Sequence, residues 1–513
     1  MSEHPEYPVL YETRPINMLK DDILLDIFNY YRLAKETWNV RLGWCKLSHV
    51  CRRWRHLILS SAFHLGIHIR CTKDSPTVNT LDHLPPLPLF IDYVNVGVQA
   101  IRSLCRIVNS EDELRIYHTL KLRDRVRHIN LRVSPSTLDK SLRLMDKPFP
   151  ILEYLSLSFT GDSDEIPSLT TPNSFLAPNL RHLHLLGIRL PKRLRLLSST
   201  LSLVTLKLTN IQASGYIRPR LLVARLEALS QLEELSIEFS IPTPRPSEER
   251  LLLGKQGTPV TLSNLKSFTF RGVGIYLERL ISQIRAPVLE ELNIILFNQI
   301  AFTLTHLSHF FNITEQIKIS RTAIIDFWPG TGTSITLNHR PSVYYSDKTF
   351  TLHVMCKPSD WQIDCASQIS SALVSALSGI ESLTLGKQID ATPTQSDWRQ
   401  DEVHDPDEMD DTSWHELLRS FVRVKELHID HYFSVSLSRA LEVDEVVSDL
   451  GLLPDLQLVA SDYRGIHANS LFGSFIHARL AAGRPVSLHL PPPWDLPLSL
   501  YMSPSISPSF SPP

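Results

Sequence analysis

Apolar and polar positions follow two different patterns along this chain. Near the start, Leu19, Ile23, Leu24, Ile27, Phe28 and Tyr31 fall at i, i+4, i+5, i+8, i+9 and i+12. That spacing predicts one stripe of an amphipathic helix. Asp21 and Asp22 stand at its head, where carboxylates suit a helix N-terminus. Residues 34–43 break the period and read as a connection. A second helix is predicted from about Trp44 to Leu59, with Trp44, Leu47, Val50, Cys51, Trp54, Leu57 and Ile58 on one side. Lys46, Arg52, Arg53 and Arg55 lie on the other. So short a module cannot hide that much apolar area within itself. Either it packs on the chain that follows, or it offers an interface.

From about residue 100 the pattern changes to a recurring phrase, x-L-x-x-L-x-L or a close variant. Leu152-Glu153-Tyr154-Leu155-Ser156-Leu157 is representative. Other copies begin at Val126, Leu180, Leu203, Leu232, Leu265 and Leu289, and weaker ones at Glu315, Leu352, Ile380 and Val424. The clear copies recur every 23 to 33 residues or so, overlapping the leucine-rich-repeat range of roughly 20–29. The last three residues of each phrase alternate in, out, in, as a short strand does. The leading leucine fills the turn into that strand, and each unit hides its apolar face only against its neighbours. Gly215 to Leu229 and Ile275 to Arg285 read as helical returns. Most units lack a closing asparagine, with Asn210 as an exception.

The expected fold class is therefore α/β: a short N-terminal helical module, then an irregular leucine-rich-repeat-like solenoid with a parallel strand ladder. Its outward residues are Asn130, Ser156, His184, Lys207, Ser236, Thr269 and Asn293, followed by Lys318, Thr384 and His428. All are polar, with no run of carboxylates or aromatics. They fit an ordinary solvated sheet face, and the first seven equally fit a substrate-binding face.

Composition narrows the classes. The 513 residues are 43% hydrophobic and 21% charged, which suits a globular chain of several domains or one repeat array. A net charge of −2, from 52 basic and 54 acidic residues, gives no push toward nucleic acid or membrane. Cys45, Cys51, Cys71, Cys105, Cys356 and Cys365 form no C-x-x-C pair, so reduced thiols and a cytoplasmic and/or nuclear location are expected. Met1 to Pro15 has no apolar run of a secretory signal, and no stretch is apolar enough to span a membrane.

The expected organisation is a flexible stretch over 1–13, the helical module over 14–62, connecting strands over 63–99 and the array over 100–484. Within 63–99, Leu65 to Cys71 and Pro85 to Tyr93 read as strands. Insertion loops are expected at 242–259 and 391–412. The second loop carries seven acids between Asp401 and Asp411, in an order that lacks the glycine turn and final glutamate of an EF-hand loop. A Pro/Ser-rich tail over 485–513 is expected to be disordered. No G-x-S-x-G, H-E-x-x-H, phosphate loop or dinucleotide fingerprint occurs. His182 and His184 project to one face, but the sequence places no further ligand beside them. No catalytic residue, cofactor or metal is expected, and the chain reads as a non-enzyme.

Ile16-x-x-Leu19-x-x-Asp22-x-Leu24-x-x-Ile27-Phe28, followed by Leu47-x-x-Val50-Cys51-Arg52-x-Trp54-Arg55, resembles an F-box. Lys20 stands where that family usually has proline, and the connection between the halves is longer than in the common form. The succession of strands after it is similar to F-box proteins of mushroom-forming fungi. The resemblance implies a substrate-recognition subunit of an SCF-type cullin–RING ubiquitin ligase. It implies a Skp-type adaptor as partner, cullin through that adaptor, and an unknown protein substrate. The implied adaptor-binding residues are Leu19, Ile23, Leu24, Ile27 and Phe28, with Leu47, Val50, Cys51 and Trp54. Some of these must form the module's own core, and the sequence does not divide them. The alternative is a leucine-rich-repeat scaffold whose degenerate F-box does not dock.

Overall fold

The computed structural model describes residues 15–33, 43–72, 81, 85–94, 108–159, 175–188, 197, 200–240, 259–297, 302–314, 319–328, 331–338, 348–356, 359–387, 411–447, 452–461 and 471–490. The N-terminal stretch 1–13, the acidic run 401–410, residues 242–258 and 491–513, Lys318 and Cys105 lie outside them. The chain forms two compact units, Met1–Ile217 with Ala228–Leu232, and Arg218–Glu227 with Glu233–Pro513.

The first unit begins with three helices: α1 (Asp21–Leu33), α2 (Gly43–Ser48) and α3 (Arg52–Ser60). α1 starts at the aspartate pair, as the charge pattern predicts. The second predicted helix is instead two, broken at His49–Cys51. Cys51 is extended (φ −157°, ψ 171°), and its Sγ accepts the Trp54 N–H at 3.5 Å, capping α3. The break turns Val50 out to solvent while leaving both Trp44 and Trp54 buried. Arg53 ties α3 to the head of α1, donating to Asp21 Oδ1 and to the Leu19 carbonyl, each at 2.6 Å.

Six strands follow: β1 (Ile69–Cys71), β2 (Leu89–Tyr93), β3 (Val126–Val133), β4 (Tyr154–Phe159), β5 (His182–Leu186) and β6 (Thr205–Ile211). Each pairs with the next in parallel. Parallel neighbours need a crossover, and among the described residues two are helical: α4 (Ser110–Lys121), which packs on β1 and β2, and α5 (Pro135–Leu144), which packs on β3. An Asn109–Asp112 capping box opens α4, and Pro135 with the Ser134 cap opens α5. Ile91, Ile129, Leu131, Leu155 and Leu157 face the core on the helix side.

The second unit repeats this logic. α6 (Pro219–Leu226) precedes β7 (Glu234–Phe239). Then come β8 (Val260–Thr261), β9 (Ser267–Gly272), α7 (Gly274–Ile281), β10 (Ile284–Arg285), β11 (Glu291–Leu296) and α8 (Thr305–Ile313). Next are β12 (Thr322–Trp328), β13 (Gly332–Asn338), β14 (Lys348–Val354), α9 (Ser359–Ala372), α10 (Val374–Leu377) and β15 (Ser382–Lys387). The unit closes with α11 (Asp411–Leu418), β16 (Glu426–Ile429), α12 (Ser434–Val447), β17 (Leu458–Ser461), α13 (Gly473–Ala481) and β18 (Ser487–His489). β8 and β10 form a separate parallel pair. The other strands run in the order β7-β9-β11-β14-β13-β12-β15-β16-β17-β18.

The fold class is thus mixed α/β, with an open and mostly parallel sheet. It is not wholly parallel, as the repeat reading expects. β13 is antiparallel to both β12 and β14, and where the chain leaves β12 the Thr331 N–H donates to the Trp328 carbonyl. Two predicted boundaries also move. Asp411 opens α11, inside the segment read as a loop to 412. β18 pairs with β17 inside the segment read as tail.

The repeat phrase itself maps closely. Leu152, Leu180, Leu203, Leu232, Leu265, Leu289, Ile380 and Val424 are each at most 1% exposed, and a strand starts two residues after every one of them. Asn210 sits at φ 54°, in the left-handed region that asparagine tolerates better than most residues.

Candidate functional site

Two surface features of the first unit bear on function. The first is on the helical module. Leu24 and Phe28 of α1 point inward with Trp44, Trp54, Leu57 and Ile58. The Phe28 and Trp54 rings meet edge to face at 4.8 Å. These residues close a small core, and Leu24, Phe28 and Trp54 are therefore not surface for a partner. Ile23 (43% exposed), Ile27 (42%) and Val50 (58%) face solvent instead. Leu19, Leu47 and Cys51 are half-buried.

The single stripe read along α1 is thus two stripes about 100° apart, a consequence of 3.6 residues per turn. Leu24, Phe28 and Tyr31 run along one. Ile23, Ile27 and Tyr30 run along the other at i, i+4 and i+7. Tyr30 (77%) lies outside the predicted set, as do Ile16 and Met18, exposed just before α1. The period contained the signal for Tyr30. Lys20 is exposed immediately before α1, and its carbonyl accepts the Leu24 N–H at 3.1 Å.

The second feature is the sheet face turned away from the helices. Pairing places Asn130 opposite Ser156, Ser156 opposite His184, and His184 opposite Lys207. All four are half-buried, in one row as the alternation predicts. In the second unit Ser236 pairs with Thr269, and Thr269 with Asn293. Thr384 pairs with His428 there. Ser236 is a correction: it is buried, and its hydroxyl donates to Glu238 Oε1 at 2.7 Å.

A row of rings stands one dyad before these residues on the strands. A register shift between Leu89 and Phe90 sets Phe90 opposite His128, which pairs in turn with Tyr154, and Tyr154 with His182. Their rings stack across the strands. His68 lies on Phe90 at 3.5 Å and 10°, Phe90 on His128 at 4.9 Å and 11°, and His128 on Tyr154 at 4.1 Å and 5°. Tyr154 then meets His184 edge to face at 5.1 Å, its hydroxyl 3.2 Å from His184 Nδ1. His182 Nδ1 is 3.1 Å from Thr205 Oγ1. Each of these two histidines thus commits a ring nitrogen to a protein partner, which weakens the case for a shared metal. Among the described residues, no group of three or more His, Cys, Asp or Glu is arranged to hold a metal ion.

Electrostatics keep His68 and His128 neutral at physiological pH. Burial pushes His68 down to about 4, helped by the nearby charge of Arg70 and opposed by its hydrogen bond to the Gly66 carbonyl. Burial and Arg70 likewise push His128 down to about 4. Arg70 pairs with Asp92 at 3.0 Å, and Asn130 Nδ2 also donates to Asp92. Arg127 pairs with Glu153 at 2.9 Å, and its guanidinium sits 4.4 Å from the centre of the exposed Phe63 ring.

The described cysteines, Cys45, Cys51, Cys71, Cys356 and Cys365, are free thiols. Among the described residues no helix is long and apolar enough to cross a membrane. No protein-family model matches the chain, and no curated protein matches it.

Proposed function

We propose that this chain is the substrate-recognition subunit of an SCF-type ubiquitin ligase, its F-box-like helical module docking a Skp-type adaptor and its leucine-rich-repeat-like array holding a protein substrate. One observation carries the reading. The module's core is already filled by Leu24, Phe28, Trp44, Trp54 and Ile58, yet a second apolar stripe of Ile23, Ile27 and Tyr30 stays outside. A helix that needed only to pack on its own domain would have polar residues there. On this reading the chain carries no chemistry: the ligase accelerates transfer by proximity, and this subunit supplies position.

Co-precipitation with the adaptor tests the proposal. Wild type should retain it, and Ile23→Asp with Ile27→Asp should lose it while still folding. The scaffold alternative draws on Lys20, which stands at the head of α1 in place of the family's proline. It expects no adaptor in either precipitate.

A further inference from the structure

The ring ladder on the first unit has a chemical polarity that a merely solvated sheet face does not require. Stacking across parallel strands spends ring faces on neighbouring rings. Phe90 has His68 on one side and His128 on the other, and His128 has Phe90 and Tyr154. What is left to meet a ligand is ring edges, and the edge is the positive end of an aromatic quadrupole. The imidazoles add polar atoms to that edge. Among the described residues neither ring nitrogen of His128 makes a hydrogen bond.

The acids beside the ladder are already matched by cations. Asp92 and Glu153 are each ion-paired with an arginine. One dyad farther along the strands Arg132 is exposed, opposite Ser158. Lys207 stands three strands from Asn130 in the same row. Ser156 and His184 lie between Asn130 and Lys207 in that row. A row of ring edges flanked by cations is complementary to a string of anionic acceptors spaced along an extended chain, and it discriminates against cationic segments.

We infer that the ring-bearing face of the first unit, centred on Phe90, His128 and Tyr154 and flanked by Arg132 and Lys207, is a docking surface for an extended peptide segment rich in aspartate or glutamate. This names a substrate class for the proposed ligase subunit and rests on that reading for its biological consequence. The binding itself does not require an adaptor.

The test uses the full chain and a fluorescein-labelled twelve-residue peptide of alternating glutamate and alanine, followed by anisotropy at neutral pH. Saturable binding is expected, at least tenfold weaker when glutamine replaces every glutamate. Arg132→Glu, Lys207→Glu and His128→Ala should each weaken it fivefold or more. Arg52→Glu with Arg55→Glu, on the helical module, should leave it unchanged. Arg132 is exposed, so its variant keeps the test open if the His128 variant fails to fold. Equal affinity for the glutamine peptide, or equal losses from the module and ladder arginine variants, overturns the inference. The Arg132 variant should still bind the adaptor. A wild-type chain that binds the acidic peptide but no adaptor would refute the ligase reading and leave this one standing.

Discussion

Truncating Ile23, Ile27 and Val50 to alanine together separates the proposed docking stripe from the module's core. Their exposures of 43%, 42% and 58% leave about one and a half side chains' worth of apolar surface to bury in a complex. At roughly 1.5–3 kcal/mol for a fully buried side chain, that surface is worth roughly 2–4 kcal/mol. Every 1.4 kcal/mol is about tenfold in affinity, so the triple variant should bind the adaptor about 30-fold to 1,000-fold more weakly. Stability should fall only modestly, because about half of each side chain is already in solvent. The companion variant is Phe28→Ala. Phe28 is fully buried against Trp54, and its loss costs about 3–5 kcal/mol in transfer and cavity terms. That is enough to unfold three short helices, so it too should abolish docking, but with a lost thermal transition. Calorimetric titration with purified adaptor, paired with melting curves, separates the two. An unchanged melt with less than threefold weaker binding in the triple variant would mean that the outer stripe is not the dock.

Three further outcomes follow from particular contacts. Glu278 of α7 is buried, and its carboxylate accepts the N–H groups of His306 and Leu307 at 2.7 and 2.9 Å, capping α8 from a neighbouring turn of the chain. Glu278→Ala should cost about 1–3 kcal/mol by leaving buried donors unpaired, read as a lower urea midpoint. His68 and His128 sit near 4 in the folded chain against 6.5 for the ordinary side chain, so between those values the unfolded chain binds more protons. Stability present above about pH 6.5 is therefore lost as pH falls toward 4, by about 1–2 kcal/mol for each histidine at pH 5. Melting at pH 7.5 and 5 checks this, and His128→Phe should flatten the difference. Gly187 adopts φ 72°, and a Cβ there would lie 2.8 Å from Phe159 Cε1. Gly187→Ala should lower the melting temperature, at a cost of about 1–3 kcal/mol.

What the sequence made legible is local. Each leading leucine and each in-out-in triplet is contained within six residues, so the strands from β3 to β11 that carry the clear phrase lie where the pattern put them. β12 and β13 carry no such phrase. Ala323, Ile325 and Phe327 face inward on one, while all of β13 is buried, and a reversal of strand direction is invisible to a pattern built on parallel repeats. On α1 the apolar residues were found but not divided. Leu24 and Ile23 differ by one helical step of about 100°, and only the position of Trp54, some 30 residues on, decides which of them is inside.

The ring ladder shows why a face is harder to read than a strand. Each strand offers one ring: Phe90, His128, Tyr154, His182. Taken singly, each is an unremarkable half-exposed residue. They become a surface only because pairing sets them in one row, and that row depends on the irregularity at Leu89. Without the shift between Leu89 and Phe90, simple pairing from Leu89 on Val126 would oppose Phe90 to Arg127, not to His128. The stack would then break at its second ring, since Arg127 offers a cation where His128 offers a plane. The same shift continues Asp92 onto Asn130, whose amide donates to it. A one-residue slip therefore aligns the aromatic row and the polar row together. That coupling makes the register at the start of β2 a determinant of the proposed docking surface as much as of the fold.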